Sequence, residues 1–329
     1  MTTRADVAKI AGVSESTVSY VLSGKRPITE ATKKRVQAAI DQTGYKSNYA
    51  AAALAGGTPR MVTMMTANLF QSPPSRIDGA LIDGIVSGVK ESGFHSVIWP
   101  VSNDNDSDIQ DLLKLNFSGG VILMNVKDND PRARTLNNAN IPFVVLGRTN
   151  VNFAYNYVDR DFENVYKVAL TKLKELGHIH IGVISGHAEL NPYIKKVAKA
   201  LKVDLTIMVT KNNRDAGIAL AKDFKKNYPN VTGVISFLDV ATVEFANAAA
   251  KFGLSIPGDV SLIGVNMLEE QAESAEPKIS TVALEAFNMA VSCGRMIVEA
   301  IEAGKKSKKK RTELWVGDFV DRGSTTHNR

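Results

Sequence analysis

Residues 6–45 read DVAKIAGVSESTVSYVLSGKRPITEATKKRVQAAIDQTGY. Three short helices can be cut from this stretch together with the few residues before it. Thr3 has the chemistry to cap the first, with Asp6 three residues on in its first turn. Val7, Ile10 and Ala11 follow at helical spacing, and Gly12 allows a sharp exit. Ser14 is placed to cap a second helix on which Val18, Val21 and Leu22 share a face. Gly24 and Pro27 break it. Thr29 caps a third, with Thr32, Val36, Ala39 and Ile40 inward, Lys33, Lys34 and Arg35 mostly outward, and Gly44 at its end. Three short helices, two of them joined by a turn of about three residues, make a helix-turn-helix.

The charge is placed to match. Residues 1–60 hold nine lysines and arginines against four acids, so the head carries +5 of the chain's net +6. A basic head on a nearly neutral body points to a polyanion as its partner, although a merely solvated basic face has the same composition. In a helix-turn-helix the second helix offers its first turn to base edges in the major groove. Here that turn carries Ser14, Glu15, Ser16 and Thr17, with Ser19 and Tyr20 on the next. Serine and threonine hydroxyls can donate or accept, Glu15 can accept from a cytosine amino group, and Tyr20 can reach a phosphate or a sugar. Lys25, Arg26, Lys33 and Lys34 are placed for phosphates, which give affinity without sequence information. Helical spacing by itself leaves open a three-helix cap that binds no DNA.

The pattern DVA–AGVS–TVS–VL, followed by a third helix ending in GY, resembles the head of the lactose-repressor (LacI/GalR) family of transcription regulators. The resemblance implies a sequence-specific DNA-binding protein with an operator as its partner. One departure stands in the recognition helix, where Tyr20 takes the place of the family's usual arginine. Outward from the head, residues 47–60 read as a hinge. Asn48 can cap a short helix, Tyr49 to Leu54 is alanine-rich, and Gly56, Gly57 and Pro59 end it. A helix of about two turns is mostly unfolded alone in water because nucleation is costly. Asn48 and Leu54 match the family's hinge, in which paired helices enter the minor groove and a leucine wedges between base steps. An alanine-rich linker with an incidental leucine is the plainer reading. Ser47 and Ala52 replace the family's usual proline and arginine.

From residue 61 onward, short apolar runs alternate with amphipathic stretches. Strands are expected at 61–67, 96–101, 120–126, 143–147, 179–185, 204–210, 233–238 and 261–266. Helices are expected at 79–92, 107–115, 163–176, 214–227 and 241–252. The alternation argues for parallel sheets covered by helices, and its length for two similar subdomains. The stretches FSGGVIL, NIPFVVLGR, YVDRD, LKELGHIHIGVISG, IPGDVSLIGVN, ISTV and ELWVGDFVDRGST resemble successive landmarks of the same family. The fold so implied is that of the periplasmic sugar-binding proteins: an all-α helix-turn-helix head (1–46) and hinge helix (47–60), then an α/β core of two doubly wound parallel-sheet subdomains over 61–329. Subdomain one is expected at about 61–158 plus 287–318, and subdomain two at about 159–286.

Ligands of open α/β sheets bind beyond the carboxyl ends of the strands. The resemblance places Asn68, Phe70, Ile77, Arg148, Tyr193, Asp239, Asn266 and Phe287 at such ends, facing a cleft that holds a small-molecule effector of carbohydrate type. Each has a plainer alternative: core for Phe70 and Phe287, a helix cap for Asp239, a turn for Asn266. Three family anchors are altered, with Tyr193 at or near the place of a ligand-gripping arginine, Leu238–Asp239 in place of an asparagine–aspartate pair, and Asn266 in place of an aspartate.

Other chemistry is weakly represented. His178 and His180 share a strand face, but without cysteines or nearby carboxylates they make a poor metal site. No cofactor is expected. No G-x-S-x-G, Walker loop or G-x-G-x-x-G occurs, so an enzyme on this fold is the weaker alternative. Cys293, the chain's one cysteine, is expected buried in a helix, and the run KKSKKKR at 305–311 reads as a solvated loop. MTTRADVAKIAG has no apolar signal core, which with the lone cysteine leads to a cytoplasmic expectation. A homodimer on a pseudo-palindromic operator is expected from helix-turn-helix geometry. The absence of a heptad tail after VDRGST argues against a tail-assembled tetramer. The expected function is repression controlled by the effector. A regulator with a degenerate pocket, driven by a protein partner, is the alternative.

Overall fold

The structure is a computed structural model that describes residues 2–23, 26–45, 59–67, 76–101, 107–188, 191–304 and 310–328. The chain divides into two compact units, Met1–Arg60 and Met61–Arg329. The expected contacts Lys25, Asn48, Leu54, Asn68 and Phe70, the rest of the hinge from 46 to 58, and most of the lysine run lie outside the described residues.

In the first unit, helices α1 (Arg4–Ala11), α2 (Glu15–Ser23) and α3 (Glu30–Thr43) are cut where the sequence places the caps. Thr3 and Asp6 form a reciprocal capping box and Gly12 leaves α1 at φ 63°, a left-handed conformation that favours glycine. The Thr17 N–H donates to Ser14 Oγ at 3.1 Å, and that of Thr32 to Thr29 Oγ1 at 3.4 Å. The core is Val7, Ala8, Ala11, Val18, Val36 and Ala39. Two expectations fail here. Ile10 and Leu22 are exposed, and Ala8 takes the inward place. At about 100° per residue, Ile10 falls to the side of the stripe that Val7, Ala8 and Ala11 make. So small a bundle closes on small side chains.

The second unit contains two six-stranded sheets. Sheet one is built from β1 (Met61–Ala67), β2 (His95–Val101), β3 (Gly120–Leu123), β4 (Phe143–Leu146), β5 (Asn156–Arg160) and β11 (Thr312–Trp315), in the order β2-β1-β3-β4-β5-β11. Sheet two is built from β6 (His180–Ser185), β7 (Asp204–Val209), β8 (Gly233–Ser236), β9 (Ser261–Gly264), β10 (Ser280–Val282) and β12 (Phe319–Val320), in the order β7-β6-β8-β9-β10-β12. The two sheets thus repeat one strand order. They differ at the last strand: β11 joins β5 in parallel, whereas β12 joins β10 antiparallel. The central strands GVIL, FVVL, GVIS and SLIG are buried along their whole length, as strands covered on both faces must be.

Helices α4 (Arg76–Lys90), α5 (Ser107–Leu115), α6 (Pro131–Asn138) and α12 (Ala286–Ala303) belong with sheet one; α7 (Phe162–Glu175), α8 (Pro192–Leu201), α9 (Arg214–Asn227), α10 (Asp239–Ala249) and the short α11 (Glu269–Glu273) belong with sheet two. Each sheet has a separate apolar core on either face. The helix contact α4–α12 is unusually close. A Cβ on Gly88 would lie 2.2 Å from the Val291 carbonyl oxygen, and one on Gly84 2.4 Å from that of Phe287. Glycine is required there by approach of backbones.

The expected strands overshoot at their carboxyl ends. The run 120–126 stops at Leu123, and Asn125 turns the chain out of the strand at φ 48°. The run 233–238 stops at Ser236 and 261–266 at Gly264. The surplus apolar residues belong to the loops that the strands present. Strand β5 runs to Arg160 because Asp159 and Arg160 pair with Leu314 and Trp315 of β11, two residues past the expected subdomain boundary. Among the described residues no helix is long and apolar enough to cross a membrane.

Candidate functional site

In the head, the candidate base-reading residues sit on and just before α2. Ser14, Glu15 and Ser16 are exposed, while Thr17, Ser19 and Tyr20 are half-buried. Ser14 Oγ lies 2.9 Å from Thr17 Oγ1 and 3.0 Å from Ser16 Oγ, so the three hydroxyls form one local network at the helix start. Thr17 is engaged inside that network. Glu15 stands 3.9 Å from the Arg4 guanidinium, which partly offsets its charge. The Arg26 guanidinium lies over the Tyr20 ring, 4.9 Å from its centre, a cation–π contact that ties a phosphate candidate to the residue that departs from the family. Lys33 Nζ is 2.7 Å from Glu30 Oε1 one turn earlier, on a side chain that stays largely in solvent.

In the second unit a cavity of about 790 Å³ opens at the carboxyl ends of sheet one's strands. Three parts of sheet one line it. Asp78 and Leu81 come from α4; Met124, Asn125, Val126 and Asp128 from the loop after β3; and Leu146 to Asn150 from the loop after β4. Tyr155, Tyr157 and Asp159 add the β5 side, and subdomain two contributes Phe162, Asn191 and Tyr193. The strand order reverses between β1 and β3, so this is the switch-point position where open α/β sheets take ligands.

Local bonding holds this lining. Gly147 adopts φ 109° to turn the chain off β4. Tyr155 then fixes the loop, its hydroxyl donating to the Thr149 carbonyl at 2.7 Å and accepting the Thr149 N–H at 3.0 Å. Behind it, Thr149 Oγ1 donates to the Lys127 carbonyl and accepts the Asp130 N–H, joining the two loops. Thr66 Oγ1 donates to Asn125 Oδ1 at 2.6 Å, which leaves the Asn125 amide for Asp78. Burial raises the Asp78 carboxyl above its ordinary range; the Asn125 amide works against that shift, and the Asp239 carboxylate adds to it.

Arg148 and Tyr193 are drawn from different subdomains and meet in the cavity wall. The guanidinium lies 5.6 Å from the centre of the Tyr193 ring, and its Nε is 2.5 Å from Asp159 Oδ2. Burial opposes the Arg148 charge, but the Asp159 carboxylate outweighs it and raises the guanidinium above its ordinary value. Burial raises Asp159 further than Arg148 lowers it. Next to this pair, burial lowers Arg160 to about 10, and its Nη1 donates to the Val265 carbonyl of subdomain two at 2.5 Å.

The other expected residues sit differently. Asp239 is buried, accepting from Asn212 Nδ2 and Gln271 Nε2, each at 2.7 Å. It is the first residue of α10 and makes no cap bond. Asn266 Nδ2 donates to the Phe237 carbonyl at 3.3 Å, linking the loops after β8 and β9. Ile77 is half-buried beside Asp78 on α4. Phe287 is 47% exposed and is not among the residues that line the cavity. The buried face of α12 runs through Ala286, Met289, Ala290, Cys293 and Ile297, and residue 287 points about a quarter-turn away from it. Sequence reasoning missed Asp78, Asn125, Tyr155 and Asp159. Asp159 was within reach, since YVDRD places a charged pair at the end of an apolar run.

The remaining polar motifs are structural. His178 is buried, with Nδ1 3.0 Å from Thr232 Oγ1 and Nε2 2.9 Å from the Thr326 carbonyl. His180 faces Asp204 at 3.4 Å on the exposed edge. Cys293 is buried in α12, and burial pushes its thiol well up, away from reactivity.

A basic helix-turn-helix head on a two-sheet α/β core with a cavity at its strand ends defines a DNA-binding transcription regulator. Residues 3–48 match the family described as "Bacterial regulatory proteins, lacI family", and residues 170–325 match a periplasmic binding protein-like domain. The chain is 26% identical to the HTH-type transcriptional repressor PurR of Vibrio vulnificus (strain CMCP6), over 97% of this chain and 99% of that protein. Its fold is that of a lac repressor dimer bound to operator and the anti-inducer ONPF, with a TM-score of 0.76, 20% identity, and 99% of each chain covered. A transcriptional regulator CelR–cellobiose complex shares the fold at a TM-score of 0.68 and 23% identity, over 98% of this chain and 100% of the other. The head thus matches the lacI family of bacterial regulatory proteins, and over nearly its whole length the chain is similar to transcription regulators.

Proposed function

We propose that the protein is a homodimeric repressor whose affinity for a pseudo-palindromic DNA operator is set by a small molecule of carbohydrate type in the cavity of the core. The observation that carries this reading is the Arg148–Tyr193 pairing across the boundary between the subdomains. A ligand seated there touches both halves and so has a differential affinity for open and closed arrangements, which is what a population shift requires. The cavity's volume, its rings and its amide and hydroxyl groups suit a sugar face and its hydroxyls. In the head, Ser14, Glu15, Ser16, Ser19 and Tyr20 read bases and backbone, with Thr17 holding the network. Lys25, Arg26 and Lys33 neutralise phosphates. The linker with Asn48 and Leu54 passes the change from core to head by folding or melting. The protein works in the cytoplasm and without enzymatic activity.

Operator affinity of the purified protein on genomic fragments, repeated across sugars, nucleosides and sugar phosphates, tests this. One compound that shifts affinity tenfold, about 1.4 kcal/mol of coupling, upholds it. Tight DNA binding that nothing shifts removes the sensor and leaves a regulator driven by a protein partner. Lys33→Ala should lower the slope of log affinity against log salt by about 0.9. An unchanged slope takes Lys33 off the phosphate contacts.

A further inference from the structure

We propose that the ligand of the core cavity carries a positively charged amine, as an amino sugar does. This rests on the reading of the cavity as the effector site and names the chemistry that site selects. Among the described residues Arg148 is the one lysine or arginine in the lining, against the carboxylates of Asp78, Asp128 and Asp159. Arg148 is already spent. Asp159 holds its Nε at 2.5 Å and the Tyr193 ring lies beneath its guanidinium. Asp78 lines the cavity with the neutral Asn125 amide as its hydrogen-bond partner, and the Asp239 carboxylate acts on it unfavourably. Asp239 in turn is held by two neutral amides, those of Asn212 and Gln271. Asp128 accepts the Asn150 N–H at 3.3 Å.

Asp78 lines the cavity from α4 of subdomain one, and the buried Asp239 of α10 in subdomain two adds negative potential to it. Closing on a neutral ligand would exclude water from the Asp78 carboxylate and leave its charge without a counter-ion. An ammonium group beside Asp78 supplies one. The rings of Tyr155 and Tyr157 line the same cavity and offer a cation electron-rich faces, while those of Phe162 and Tyr193 are already faced by Arg160 and Arg148. Asn150 and Asn191 remain for hydroxyls, which keeps the ligand a sugar rather than a bare amine.

The test uses the full chain and matched pairs that differ only in hydroxyl against amine: glucose and glucosamine, galactose and galactosamine, cellobiose and the β-1,4 disaccharide of glucosamine. Affinities are read by calorimetry at neutral pH and physiological salt. At least one amine should bind tenfold or more tighter than its partner. Asp78→Asn should cut that preference to under threefold. Hydroxyl sugars that bind as tightly as their amines, with Asp78→Asn neutral, overturn the charge proposal and leave the sugar sensor standing. No binding by either member of any pair overturns both.

Discussion

The two subdomains share a strand order yet handle their strand-end polar groups in opposite ways. In subdomain two, Asp239, Asn212 and Gln271 bond to one another, and Asn266 to a neighbouring carbonyl. Its ligand end is largely self-satisfied. In subdomain one, Asp78, Asn125 and Asp128 line open space, and most of the cavity wall is drawn from that half. Topology fixes where a pocket can form. Which half supplies its chemistry depends on whether polar groups at the strand ends find partners within their own fold.

That contrast can be broken at two levels. The frameworks should be equivalent. Gly88 in subdomain one and Gly217 in subdomain two sit where a Cβ would meet a carbonyl oxygen at 2.2 and 2.3 Å. Alanine at either should cost about 3 kcal/mol in urea unfolding, and an effect at only one would show that the two helix contacts are not alike. The strand ends should be unequal. Asp239→Ala strands the buried Gln271 amide and should cost about 2 kcal/mol, whereas Asp78→Asn should change stability by under about 0.5 kcal/mol. Equal losses in thermal or urea melts would erase the distinction. The smallest effect belongs to His178. Burial lowers its pKa, so the folded state holds fewer protons than the unfolded chain. The stability it contributes is present above about pH 6.5, the unfolded value, and is lost as pH falls through that value toward the lower folded one. His178→Gln should flatten that part of the pH–stability curve, and an unchanged curve would assign the acid sensitivity elsewhere.

The head was legible because its signals are local: Thr3, Ser14 and Thr29 at the helix starts, Gly12 and Gly44 at the ends. Its errors, Ile10 and Leu22, came from spacing at the edge of a stripe. In the core, the strands read correctly were those with apolar runs, the fully buried GVIL, FVVL, GVIS and SLIG together with the more exposed β2 and β7. Strands β5, β10, β11 and β12 escaped because they are short or mixed, NYVDR and TELW among them, and exist through pairing with chain far away. The cavity was half legible. Arg148 follows the strand expected at 143–147, whereas Tyr193 came from the resemblance and sits in a helix that the pattern did not name. Asp78 and Asn125 could not be found, because their roles come from a left-handed turn at 125 and a carboxylate on the opposite subdomain.

The late strands also bear on how the molecule is made. The chain passes from sheet one to sheet two after Arg160, returns after Val282 to form α12 and β11, and crosses again to form β12 at Phe319–Val320. Emerging from the ribosome, the head can close its three helices early, since domains form as units in order of synthesis. The core cannot. Sheet one waits for residues 312–315 and sheet two for 319–320, so both halves gain their last strand within one short stretch of translation. A message cut anywhere upstream of that stretch would release a finished DNA-binding head tethered to two unfinished sheets.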